Sequence, residues 1–171
     1  MRYGDNKPKY IRYAIYAAVI CGAFMLQSSK IALPEIFGAR AFLLLPVCIC
    51  ISMHEREIPA ALFGALAGVL WDVSAGIEGF NTLVIMLLCA ACSILISHLM
   101  QNNIVTAFVL NASACAIYEL LYVIVNIVVA DGGNPFRQIF VFYLPSLIYT
   151  VAFVPLCYSL MKHIYSLYKT E

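Results

Sequence analysis

The sequence predicts an all-α integral membrane protein built as one six-helix bundle. Three observations predict it. Of 171 residues, 64% are hydrophobic and only 11% are charged, whereas a soluble domain carries about 25% charged residues. The apolar residues gather into runs close to the roughly 20 residues that a helix needs to cross the hydrocarbon layer. The connections between runs are short, and no stretch outside them is long enough to fold alone, so a single transmembrane domain over residues 1–171 is expected. The formal net charge of +1 gives no electrostatic ground for binding nucleic acid.

The first expected span is 11–27. Basic residues followed by an apolar run resemble a secretory signal, but Ile11–Leu26 is long for that role and further spans follow it, so an uncleaved first helix is expected. The second span is 39–53 and the third is 58–73, with Pro59 in its first turn, where proline is tolerated. Both are short, which suggests tilted or partly re-entrant segments. The fourth span is 82–99. The fifth, 104–129, is the longest and has room to tilt. The sixth is 139–161, with Pro145 and Pro155 as expected kinks.

Loop charges give an orientation. With the N-terminus inside, Arg2, Lys7, Lys9, Arg12, Arg56, Lys162 and Lys169 face the cytoplasm, and Lys30, Arg40 and Arg137 face outward. Seven against three follows the positive-inside rule and places both termini in the cytoplasm. The segments 28–38, 73–81 and 130–138 are then extracytoplasmic, and DGGNP at 131–135 reads as a turn. Any partner must meet this chain mostly within the lipid bilayer or at its edge.

The most informative stretch is GALAGVLWDVSAGIEG at 64–79. Gly64, Gly68 and Asp72 recur every four residues and so share one helix face. Two glycines on one face form a groove that admits another helix backbone. A carboxylate at the end of that groove needs protein or water beside it. The pattern marks a helix-packing or partner-binding seam, extended by Gly76 and Gly79. For Asp72, three roles stay open: capping or loop ordering, partner contact, and ligand binding. Ala14, Ala18 and Gly22 form a second row of small residues, of the kind that usually packs helices within one protein.

Glu119 is the one ionisable residue deep inside a span, where a carboxylate costs about 2.5–3.5 kcal/mol at a helix centre. Asn111, Cys115, Glu119, Tyr122 and Asn126 fall on a stripe about 80° wide at 100° per residue. This intramembrane polar seam suits interhelical hydrogen bonding; a contact with another protein and a substrate or ion site are the other readings of Glu119.

The seven cysteines all lie in apolar runs, including the pairs Cys89/Cys92 and Cys48/Cys50, and neither pair has a nearby His or Asp, so they read as small buried hydrophobes. Tyr10, Tyr13, Tyr16, Tyr158, Tyr165 and Tyr168 gather near the expected cytoplasmic ends, as interfacial anchors do. His54, His98 and His163 are too scattered for a metal site, and His54-Glu55-Arg56-Glu57 reads as a solvated loop, with contact to a cytosolic partner as the other reading. No serine–histidine pair at one depth and no second intramembrane aspartate supports catalysis. No enzyme activity, cofactor or metal is expected.

With these residues in view, the chain resembles the rod shape-determining protein MreD family over nearly its full length. Gly64-x3-Gly68-x3-Asp72, followed by Gly76, Gly79 and a fresh apolar run from Leu83, carries the resemblance; the Tyr118-Glu119 pair in the fifth span is similar to later helices of that family. The resemblance implies a non-catalytic scaffold of the bacterial cell-elongation complex, or elongasome, in the inner membrane. It implies binding to the bitopic protein MreC and, through the complex, to MreB, RodA and a penicillin-binding transpeptidase, so that cell shape and lateral peptidoglycan synthesis are coupled. It further implies a fold like the substrate-binding subunit of energy-coupling-factor vitamin transporters. That likeness supplies the alternative function, a vitamin-binding subunit, for which Ala14-x3-Ala18 would serve as a docking row and the loop SSKIALPEIFG as the pocket rim.

Overall fold

The computed structural model describes residues 7–29, 42–75, 79–130 and 144–167. These form seven helices: α1 (Lys7–Ser28), α2 (Leu44–Ser52), α3 (Glu57–Ala75), α4 (Phe80–His98), α5 (Ile104–Ala130), α6 (Leu144–Ala152) and α7 (Val154–Leu167). Four segments, Lys9–Ser28, Glu57–Ala75, Phe80–His98 and Ile104–Val125, are long and apolar enough to cross a membrane. The chain is an all-α, multi-pass membrane protein.

The other two expected spans differ among the described residues. The helix α2 has nine residues and is about 13 Å long, too short to cross a layer of about 30 Å by itself. All nine of its residues are buried. A helix apolar on every side belongs in an interior, and α2 stands at the centre, against α1, α3, α4, α5 and α7. The sixth segment is two helices rather than one. Pro155 offers no N–H to the carbonyl one turn before it, and its ring crowds that carbonyl. The chain instead closes a tight turn, with Phe153 N–H donating to Thr150 O at 3.1 Å, before α7 starts with Cys157 N–H donating to Phe153 O at 3.0 Å. Pro145 lies in the first turn of α6, and residues 139–143 lie outside the described segments.

The bundle has two ends. The near end is where α1 begins; the far end is where α1 finishes. The ends of α2 are closed by polar side chains from its neighbours, because Leu43 before it carries no cap. At the far end, Leu44 N–H donates to Gln27 Oε1 and Phe42 N–H to Thr150 Oγ1, each at 3.0 Å. At the near end, Asn102 Nδ2 donates to Met53 O at 2.9 Å. These bonds satisfy backbone groups that a helix end would otherwise leave unpaired in an apolar interior.

Candidate functional site

Three places combine unusual chemistry with a defined position: the seam between α3 and α4, a charged knot at the near end, and an uncovered face of α1.

The seam begins with Gly64 and Gly68. A Cβ at Gly64 would lie 2.9 Å from Ile85 O and 3.0 Å from Cys89 Sγ. At Gly68 it would strike the Thr82 backbone, with Thr82 N at 2.7 Å and Asn81 O at 2.9 Å. The glycine groove is therefore filled by α4 of the same chain, and its occupant is not another protein. Asp72 ends the groove. Its Oδ1 accepts from Asn81 N–H at 3.0 Å, and its Oδ2 accepts from Thr82 N–H at 2.8 Å and from the Thr82 hydroxyl. These are the second and third residues of α4, whose amides an N-cap side chain normally serves. Gly79 occupies the position before α4 at φ 75°, without a side chain to do so. A left-handed backbone there favours glycine, and the acid from α3 supplies the missing cap. Gly76 lies outside the described residues.

The seam continues into α5. Asn81 is fully buried, and its Oδ1 accepts from Tyr118 Oη–H at 2.6 Å. The Tyr118 ring stacks on Phe42 with centroids 4.9 Å apart, and Phe42 meets Trp71 at 5.1 Å. Asp72, Asn81 and Tyr118 thus tie three helices together at the far end. The tyrosine that makes this tie is one residue outside the stripe read from the sequence. Asn111 of the stripe is fully buried, but its amide donates to Ala107 O on its own helix at 2.8 Å and approaches Cys50 Sγ at 3.8 Å. Cys115 is buried; Glu119 and Tyr122 are half-buried, and the side chain of Asn126 lies outside the described set. The stripe sits on the flank of the packed face, because the centre of that face is Ala107, Ala114 and Tyr118. Glu119 is also nearer the far end than its place in the apolar run suggests: it is one turn before Tyr122, whose ring meets Phe80 at the start of α4 at 6.4 Å.

The near end holds a knot that sequence reasoning dispersed. Arg12 Nε lies 2.7 Å from Glu55 Oε1, with the two side chains 7% and 5% exposed. Tyr13 Oη–H donates to Glu55 Oε2 at 3.4 Å, and Ser93 Oγ–H donates to Glu55 O at 2.8 Å. The Arg12 guanidinium stands 5.0 Å from the Tyr165 ring, which in turn is 5.2 Å from His54. Burial pushes the Glu55 carboxyl up from its ordinary range, and the attraction of Arg12 only partly opposes this. Burial lowers His54, whose Nδ1 donates to Cys50 O at 2.9 Å. Glu55 is therefore not part of a solvated loop, and Tyr13, Tyr16 and Tyr165 surround the charge pair rather than anchoring at an interface. The available signal was Arg12 itself: a cation in the first turn of the first expected span is stabilised by an acid at the same depth.

The third place is α1. Ala14, Ala18 and Gly22 all face outward, and a Cβ at Gly22 would meet no atom within 4 Å. A row expected to pack within the chain is instead uncovered, while Tyr16, Ile20 and Ala23 on the other face enter the core. Six of the seven cysteines are buried, and Cys21, beside this row, is exposed. Among the described residues, no three His, Cys, Asp or Glu side chains converge on a metal-sized site.

Neither a family model, nor a curated protein, nor a solved structure matches this chain.

Proposed function

We propose that the chain is a non-catalytic scaffold of the bacterial cell-elongation complex, a member of the MreD family that passes six times through the inner membrane, the second time by way of the short buried helix α2, with both termini in the cytoplasm. It binds the transmembrane helix of MreC and so joins the MreB filament to RodA and a penicillin-binding transpeptidase. The observation that carries this reading is the outward row Ala14, Ala18, Gly22. Small residues on a lipid-facing stripe let a second backbone come close, and close packing is a main source of helix association in lipid. The family resemblance of the 64–79 motif supports the same reading, although in this fold the motif joins α3 to α4.

The test follows from this difference. Gly68→Leu would drive a side chain into the Thr82 backbone, so loss of binding there would report only misfolding. Gly22→Leu enlarges a position with open space around it. Recovery of MreC with the Gly22→Leu protein is expected to fall while its thermal stability stays at the wild-type level. Unchanged recovery overturns the scaffold reading.

One observation favours the alternative, a vitamin-binding subunit. At the far end, the side-chain amide nitrogens of Gln27 and Asn81 are buried without an acceptor, near the aromatic rings of Phe42, Trp71 and Tyr118. Buried donors left unpaired are costly, and a ligand carbonyl or carboxylate would satisfy them. A rise in melting temperature with one member of a vitamin panel, lost on Gln27→Leu, supports this alternative; no shift with any member removes it.

A further inference from the structure

Glu119 lies within the apolar segment Ile104–Val125. Along α5 it falls between two kinds of surface. Cys115 and Val123, one turn to either side, are buried, whereas Ala116 and Leu120 are exposed. Among the described residues, Glu119 makes no hydrogen bond and no ion pair. The described cations Lys9, Arg12, Arg56 and Lys162 are at the near end, on the first turn of α1, the α2–α3 turn and the later part of α7. Glu119 is fifteen residues beyond the start of α5, roughly 22 Å along the axis, and none of those side chains spans that gap. Lys30, Arg40 and Arg137 lie outside the described residues.

A carboxylate at the margin of a lipid-facing surface is expensive without a donor beside it. We propose that Glu119 is a docking point for the transmembrane helix of another protein that carries an arginine or lysine near its far-end boundary. Charge complementarity selects a basic side chain. Depth selects the same group, since Glu119 is about one turn below the level at which α4 begins, and a long basic side chain at that level keeps its stem in lipid and its charge near the interface. The described residues of a second copy of this chain offer no such group at this level. The exposed far-end residues of its described spans include Met25, Leu26, Val69, Val73, Leu83 and Leu87, and there is no basic side chain among the exposed residues at that level. This inference rests on the scaffold reading and adds a second contact, on α5, to the row on α1.

The experiment uses the full-length chain, labelled at its C-terminus and reconstituted in lipid vesicles with synthetic single-span leucine–alanine peptides. The peptides carry Arg, Gln or Leu at one far-end position, and association is read by energy transfer. The Arg peptide is expected to associate about tenfold more tightly than the Leu peptide, and Glu119→Gln is expected to abolish that advantage with unchanged helicity. Equal association of the three peptides, or an advantage that survives Glu119→Gln, overturns the inference. So does an advantage seen only after Arg137→Gln, which would show that the acid serves its own chain. A failure here with MreC recovery still dependent on Gly22 removes the α5 contact alone. Loss of that dependence with the Arg-peptide advantage intact removes the scaffold reading alone.

Discussion

Arg12 and Glu55 form a 2.7 Å ion pair that fastens the start of the first membrane helix to the turn between α2 and α3. The pair holds α2 in the middle of the bundle, because the same turn is gripped by Ser93 from α4 and its neighbour Met53 by Asn102. Charge that is buried to this degree is a source of position more than of net stability.

Removing one partner leaves the other buried and uncompensated, at a cost of about 3–5 kcal/mol. Arg12→Met and Glu55→Met are each expected to lower the melting temperature sharply in detergent. The double variant is expected to lie closer to wild type than either single one. Losses that simply add would show that the two groups do not act on each other.

Acidification acts on the near end with two opposite signs. The folded His54 titrates below its ordinary value of 6.5, so the unfolded chain takes up protons first. Stability from this group is complete above pH 6.5 and is lost as pH falls from there toward the folded value. The folded Glu55 titrates above its ordinary value of 4.5. The folded chain then takes up its proton first, and stability from this group rises as pH falls through that range. Melting curves across these pH values are expected to show a decline just below pH 6.5 that is absent in His54→Gln. A decline of the same size in that variant would place its origin elsewhere.

The two glycine positions are expected to respond differently to one methyl group. Gly68→Ala meets helix backbone, which does not move aside, and overpacking of that kind costs about 1–3 kcal/mol. Gly22→Ala meets open space and should improve helix propensity slightly. Thermal unfolding of the two purified variants checks this directly. A tolerated Gly68→Ala would mean that the Thr82 backbone leaves room for a Cβ on α3.

Tyr118→Phe removes the hydroxyl that Asn81 Oδ1 accepts from, leaving a buried polar atom unpaired at about 1–3 kcal/mol. Asp72→Ala removes the cap of α4, worth about 1 kcal/mol. Because both act through Asn81, their combined loss is expected to differ from the sum by at least about 0.5 kcal/mol. Strict additivity, measured by chemical unfolding, would separate the two ends of the network.

Spacing made part of this legible. The interval of four between Gly64, Gly68 and Asp72 placed them on one face from local geometry alone, and Pro155 marked the break between α6 and α7 before any contact was known. The acidic cap was one of the roles left open for Asp72. The partners were not legible. Asn81, Tyr118, Gln27 and Thr150 lie far apart along the chain, and nothing local to any of them signals that they meet at the far end. Glu55 read as solvated because its neighbours in sequence are charged, whereas its environment is set by α1.

Composition and periodicity by themselves determined that the chain is helical, that it belongs in a membrane, and which residues share a helix face. The tertiary structure alone decided what covers each face: α4 over the 64/68 groove, α1, α3, α4, α5 and α7 around α2, and no described residue over the row on α1. The reason is that lipid tails and protein interiors are equally apolar. In water a hydrophobic stripe declares its own inside, whereas in a bilayer an inward leucine and an outward leucine have the same hydropathy, and only packing tells them apart.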